Sequence, residues 1–161
     1  MKKSFAIILL VLWCISMNAQ NNAKNEALKA ANDIVCDLAN GKLEKFHWLT
    51  VEEVPLVFKN KSNRNQDGWS HVFGNLDEML PELQDVRNEG KSLGVDWNDV
   101  KVTDISYEGH YDEEFGAEEM KGYIFIKSRG KLFHIFFKRG FLLDGVWRCI
   151  ELRSMGVGNP D

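Results

Sequence analysis

The chain lacks the motifs by which many metal-binding, nucleotide-binding and hydrolytic proteins are recognised. It has three cysteines without a Cys-x-x-Cys pair and four histidines without a His-x-x-x-His pair, so we expect no zinc site. It also has no Gly-x-Gly-x-x-Gly, Walker or Gly-x-Ser-x-Gly pattern, which argues against a phosphate-binding loop and a serine nucleophile. We therefore expect no metal ion and no cofactor, and no motif identifies catalytic residues.

An excess of basic residues is missing as well. The 20 lysines and arginines are outnumbered by 24 aspartates and glutamates, for a net charge of −4. Nucleic acids and anionic membrane surfaces attract proteins chiefly through clustered positive charge. The composition therefore predicts that neither is a partner.

Only one long apolar run is present, and it lies at the N-terminus. Lys2 and Lys3 precede 11 apolar residues, Phe5–Ile15, and a short polar stretch leads to Ala19. This arrangement is typical of a secretory signal peptide cleaved after Ala19. The run is shorter than the ~17–25 residues that a membrane-spanning helix needs. We expect one domain, 20–161, in a periplasmic or secreted protein that is not inserted in a membrane after processing.

Two cysteines, Cys36 and Cys149, would remain after processing in an oxidising compartment, where disulfides usually form. Helical periodicity places Cys36 away from the apolar stripe of its helix. Strand alternation places Cys149 on the face opposite Ile150. We expect two unpaired thiols, with a disulfide between them as the alternative.

The N-terminal half carries the periodicity of helices. The pattern predicts a helix over Asn21–Ala39, a short helix from Val51, and a third helix over Leu76–Leu93. Gly94 is placed to end the third helix in a left-handed conformation.

After Trp97 the apolar period changes from 3.6 to 2, which predicts four antiparallel strands. The first spans Val100–Glu108, and an acidic loop over Gly109–Glu119 follows. This loop lacks the ligand spacing of a calcium site. Helices followed by a strand meander indicate an α+β fold, with N-terminal helices packed on a curved antiparallel sheet.

Two turn dipeptides, Arg129-Gly130 and Asp144-Gly145, set the expected strand pairing. The first turn predicts the pairs Lys127–Leu132, Phe125–His134 and Tyr123–Phe136. The second predicts Leu142–Trp147, Gly140–Cys149 and Lys138–Glu151.

The alternation separates two faces of the sheet. The core face is predicted to carry Ile124, Ile126, Phe133, Ile135, Phe137, Phe141, Leu143, Val146, Ile150 and Leu152, with Arg139 and Arg148 as its charges. The opposite surface, here called the aromatic face, carries Tyr123, Phe125, Leu132, His134, Phe136 and Trp147. A monomer seldom exposes so large an apolar patch. We expect a homodimer to cover it; the alternatives are a fold-back of Asn60–Gly74 and an unrelated partner.

Three segments of the chain resemble small exported bacterial proteins, some of which are similar to the NTF2-like (cystatin-like) superfamily. These segments are Leu93–Trp97, Gly122–Ser128 and Leu143–Trp147. The resemblance implies a cone formed by helices against a curved sheet. Members of this superfamily include ketosteroid-isomerase-like enzymes, ligand-binding domains and dimeric adaptors, so the fold alone does not select a function.

Candidate chemistry is sparse. An isomerase-like site would need a carboxylate beside a phenol, and Asp104 and Tyr107 are the nearest such pair on a strand. Their spacing of three points them to opposite faces. His47 and His71 are expected to be structural. The leading expectation is a non-enzymatic binding module, with a small apolar ligand or a second copy as partner, and an isomerase- or hydrolase-like enzyme is the alternative.

Overall fold

The structure is a computed structural model that describes the backbone of residues 24–43, 76–112, 117–143 and 146–160. Side chains are described within 24–43, 80–111, 119–140 and 152–160. The expected signal peptide, the short helix from Val51, the segment Asn60–Gly74, His47, His71 and the turn Asp144-Gly145 lie outside the described residues.

Helices precede strands along the described chain. Helix α1 covers 24–40 and α2 covers Leu76–Leu93, followed by a 3₁₀ turn at Trp97–Asp99. The strands are β1 (Val100–Asp112), β2 (Ala117–Ser128), β3 (Lys131–Leu143) and β4 (Val146–Val157). They form an antiparallel sheet in the order β1-β2-β3-β4. The α+β prediction is therefore confirmed.

Both helices end in a glycine with positive φ. At α1, Gly41 has φ +68, and the amides of Gly41 and Lys42 donate to the carbonyls of Leu38 and Asp37. At α2, Gly94 has φ +94 and donates to Lys91, and the Val95 amide donates to the carbonyl of Gly90 at 2.8 Å.

These paired bonds define Schellman motifs, which satisfy carbonyls that the helix leaves without partners. The predicted left-handed glycine at position 94 is confirmed.

The two helices are joined through Arg87 of α2. Its Nε donates to the carbonyl of Leu38 at 2.8 Å, and its Nη2 donates to that of Ala39 at 3.3 Å. A cation at these carbonyls complements the negative end of the α1 dipole. The indole nitrogen of Trp97 donates to the Arg87 carbonyl at 3.1 Å, which holds the connection after α2 against the helix.

The β2–β3 hairpin has the expected register. Lys127 pairs with Leu132, Phe125 with His134, and Tyr123 with Phe136. Arg129 and Gly130 at the turn have φ of 47 and 79. Positive φ at both central residues is the property of a type I′ turn, whose twist suits a two-residue hairpin.

The β3–β4 pairing agrees only near its turn. Leu142 pairs with Trp147 as predicted, but Arg139, not Lys138, pairs with Glu151. The register shifts between Arg139 and Phe141, and the predicted partnership of Gly140 with Cys149 does not occur. Irregularities at three places in this ladder are the cause. A bulge adds a residue to one strand, so cross-strand partners beyond it can no longer be assigned by counting residues from the turn.

The predicted acidic loop over Gly109–Glu119 is also wrong in its extent. Strand β1 continues to Asp112 and β2 begins at Ala117, and Gly109 pairs with Met120. Charged residues can occupy a strand when its side chains meet water, and 108–111 are all exposed.

The core lies between the helices and the predicted core face. Phe133, Ile135 and Phe137 of β3 have no exposed surface and belong to one cluster with Ile34 and Leu83 of the two helices. Ile124, Ile126 and Leu152 are also buried in that cluster. The assignment of this face to the core is confirmed for these apolar side chains. Arg139 is an exception. The register shift between Met120 and Gly122 pairs Gly140 with the buried Met120, so Arg139 lies on the opposite face of the sheet, where it forms an ion pair of 2.9 Å with Glu119.

A hydrogen-bonded network attaches the segment after α2 to the β2–β3 turn. The buried Ser128 hydroxyl accepts from the Asp96 amide at 2.9 Å and donates to the Asp96 carbonyl at 3.1 Å. The Asp96 carboxylate accepts from the amide of Asn98 and from Arg129. The bond from the Asn98 amide, followed by that from Arg129, holds the pKa of Asp96 below its ordinary value of 3.8.

Candidate functional site

The aromatic face is present on β2 and β3, opposite the helices. Tyr123, Phe125, Leu132, His134 and Phe136 are all half-buried, whereas the residues that alternate with them are buried. The side chain of Trp147 lies outside the described set. The described part of this face therefore consists of five side chains that retain contact with solvent.

Tyr123 is the centre of this surface. Its ring centroid is 5.3 Å from that of Phe136, 5.4 Å from that of His134 and 6.5 Å from that of Phe125. The His134 contact is edge-to-face, with an angle of 89° between the planes. These separations lie in the range at which aromatic rings attract each other.

His134 is fixed by the end of β4. Its Nδ1 lies 3.0 Å from the carbonyl oxygen of Gly158, which can only accept, so Nδ1 carries the proton in this contact. The ring also lies directly over Gly156, where an added Cβ would collide with its atoms. His134 is thus a satisfied structural histidine on this face.

A shallow cavity of about 300 Å³ opens beside Tyr123 and Phe136. It lies where β1 meets β2, and its lining consists of Ser106, Tyr107, Glu108, Lys121, Gly122, Tyr123 and Phe136. The register places Ser106 opposite Tyr123 and Glu108 opposite Lys121. Because alternate residues share a face, these four side chains lie on the aromatic side of the sheet.

Gly122 lines this cavity and lies against the backbone of Ser106 and Tyr107. A Cβ at position 122 would collide with the carbonyl oxygen of Ser106 and approach the Cα of Tyr107 to 2.7 Å. Only glycine lets the two strands come this close, and the β2–β3 register shifts just before it.

The acid and phenol singled out in the sequence do not come together. The Asp104 carboxylate contacts Lys24 Nζ at 2.9 Å and accepts from the Ile105 amide at 2.9 Å. The bond from Lys24, followed by that from Ile105, lowers the pKa of Asp104. The pairing from Asp104 to Tyr107 is regular, so the two residues point to opposite faces as expected.

Sequence patterns alone do not indicate that Ser106, Glu108 and Gly122 lie together in one site. Alternation along β1 puts Ser106 and Glu108 on one face, but their neighbours on β2 depend on a register shift between Val102 and Asp104 that no local pattern signals. A glycine within an apolar strand was the available signal, because it often marks a close backbone approach.

Other candidate sites are absent from the described part of the chain. Its side chains contain no group of three His, Cys, Asp or Glu arranged to hold a metal ion. Cys36 is exposed and free of a disulfide, and its sulfur accepts from Asn40 at 3.3 Å. None of the described helices is long and apolar enough to cross a membrane.

No family model, curated protein or solved structure matches this chain. Function is therefore inferred from the geometry of the described residues.

Proposed function

We propose that the protein is an exported, non-enzymatic binding module whose aromatic face engages a ligand or partner. One observation carries this proposal: a cavity of about 300 Å³ opens beside half-buried rings on the side of the sheet away from the helices. Binding sites are typically concave, with aromatic walls and a few polar groups. This cavity combines the rings of Tyr123 and Phe136 with the polar side chains of Ser106, Glu108 and Lys121.

The proposal includes an NTF2-like arrangement and export after cleavage behind Ala19. Helices against an antiparallel sheet with irregular strands agree with the coarse features of that superfamily. The basic and apolar N-terminus supports export. Intact-mass measurement of protein recovered outside the cytoplasm tests the cleavage, and a mass that retains Met1 would exclude it.

A second copy of the chain is the partner that we propose for the rest of the aromatic face. Phe125 and Leu132 lie towards the Arg129-Gly130 turn, away from the cavity. A twofold axis presents the same apolar patch twice and covers it without another protein.

The alternative is a small isomerase- or hydrolase-like enzyme. Glu108 and Tyr123 line one cavity, which gives an acid and a phenol together. Glu108 is exposed, however, and a general base of this type works best in a desolvated site. Asp104 is already bonded to Lys24 and the Ile105 amide. These contacts favour binding over catalysis.

Native mass spectrometry of the protein purified without denaturation tests the binding function. We expect a co-purified small molecule in the wild type, its loss in Tyr123→Ala, and its retention in Tyr111→Ala. Tyr111 is a matched control because it is 64% exposed and is not part of the cavity. An adduct that survives Tyr123→Ala would show that this surface is not the binding site.

A further inference from the structure

We propose that the cavity beside Tyr123 takes a small zwitterion that carries an aromatic or large apolar group. In this arrangement, the ligand's carboxylate pairs with Lys121, its ammonium group pairs with Glu108, and its apolar group packs on Tyr123 and Phe136. The inference rests on the proposed binding function of the aromatic face and adds the chemical class of the ligand.

Two opposite charges face each other across β1 and β2. Glu108 and Lys121 are register partners, and side chains so placed have Cβ atoms about 4.5–5.5 Å apart. Both residues are exposed, and neither takes part in any of the ion pairs found among the described side chains. Both charged groups are therefore available to a ligand.

This pair of charges selects against ligands of a single sign. A simple anion would be attracted by Lys121 and repelled by Glu108, and a simple cation would meet the reverse. A molecule with both charges gains from both residues. The two charges in the cavity lining therefore favour a zwitterion over an anion or a cation.

The rings define the rest of the ligand. The centroids of Tyr123 and Phe136 are 5.3 Å apart and their planes are tilted by 43°, so together they form an angled apolar wall. A planar or bulky apolar group can pack on such a wall, and a ligand ring adds an aromatic contact. Ser106, opposite Tyr123, adds a hydroxyl that can donate or accept.

The dimensions limit the ligand to a small molecule. The cavity, at about 300 Å³, lies at the lower end of the roughly 300–1,000 Å³ found for ligand sites. Gly122 contributes only backbone to its lining. A single amino acid or similar amino-carboxylic acid suits this volume better than a folded peptide segment.

Calorimetric titration with three indole compounds tests the ligand class. L-tryptophan has both charges, tryptamine lacks the carboxylate, and indole-3-propionate lacks the ammonium group. We expect tryptophan to bind about fivefold more tightly than either analogue, as a partly exposed ion pair would give. Tryptophan that does not bind, or that binds no better than both analogues, would overturn the inference.

Matched variants assign each charge to its residue. Lys121→Met should weaken tryptophan about fivefold and strengthen tryptamine by removing a like charge, whereas Glu108→Gln should weaken tryptophan similarly and strengthen indole-3-propionate for the same reason. Lys131→Met is the control, because this exposed lysine lies outside the cavity. Equal losses for all three compounds in Lys121→Met, or no loss in either variant, would contradict the assignment.

The same titrations separate this inference from the wider proposal. If tryptophan fails but a co-purified molecule is lost in Tyr123→Ala, the aromatic face binds a ligand and the zwitterion is wrong. If both experiments fail, the binding function is wrong as well.

Discussion

Glu89 of α2 accepts a hydrogen bond from the backbone amide of Met155 in β4, at 2.8 Å. β4 ends the described order of the sheet, and the amides at a sheet edge are open to pairing with other chains. The Glu89 carboxylate accepts from one of these amides, so that amide is not open to another chain. Arg153 of the same strand forms a 2.9 Å ion pair with Glu82, so two glutamates of α2 attach the helix to β4.

These two glutamates should contribute unequally to stability. Glu89→Ala leaves a part-buried amide without its charged acceptor, and we expect a loss of about 1.5–3 kcal/mol in the free energy of unfolding. Glu82→Ala is the control, because its ion pair is well exposed on both sides and should contribute below ~1 kcal/mol. Urea denaturation measures both. Equal losses in the two variants would show that the Glu89 hydrogen bond stabilises the fold no more than the exposed ion pair does.

Acid stability should depend on Asp96. Its folded-state pKa lies below 3.8, so its ionised form stabilises the fold above the unfolded-state value, and this contribution is lost as the pH falls through the folded value. Asp96→Asn should therefore flatten the decline of unfolding free energy below about pH 4.

Arg129→Met should flatten this decline only in part, because the bond from the Asn98 amide, the largest cause of the shift, is retained. Denaturant titrations at a series of pH values provide the measurement. A profile for Asp96→Asn that is parallel to the wild type would refute this role.

Gly122 should tolerate no side chain. Its Cβ would collide with backbone atoms of β1, which cannot move as a flexible side chain can, so Gly122→Ala should cost about 1–3 kcal/mol or more. Gly130→Asn is the comparison. Position 130 has a positive φ that asparagine accepts and no neighbour within 4 Å, so its cost should stay below ~1 kcal/mol. Thermal unfolding followed by circular dichroism compares the two, and an unchanged midpoint for Gly122→Ala would contradict the close approach.

Local signals in the sequence predicted the features that short-range chemistry determines. Gly94 ends α2 because glycine adopts positive φ at little cost, and Arg129-Gly130 sets a register because a two-residue turn leaves little freedom. The core face followed from alternation, because a shift by one residue would turn Ile135 towards water.

Features that depend on distant segments were not predictable in this way. Pairing counted from a turn holds only until a bulge intervenes, so Arg139 rather than Lys138 meets Glu151. The bond from Arg87 to Leu38 joins residues 49 positions apart, and no local pattern signals it. The cavity likewise required the pairing of Glu108 with Lys121 across an irregular ladder.

The aromatic face should hold a homodimer together. Phe125 is half-buried at the end of this face away from the cavity, and a lysine there would place charge at the centre of a twofold contact. We expect wild-type protein at micromolar concentration to sediment with the mass of two chains and Phe125→Lys with the mass of one. Tyr111→Lys, a change of the same type on an exposed residue outside this face, should remain dimeric.

Circular dichroism of each variant separates loss of the dimer from loss of the fold. If Phe125→Lys unfolds, Leu132→Lys provides the same test from the neighbouring strand, since Leu132 is also half-buried. Wild-type protein that sediments as a single chain would exclude the dimer. The fold-back of Asn60–Gly74 would then be the favoured cover, because a patch of this kind is seldom left open on a monomer.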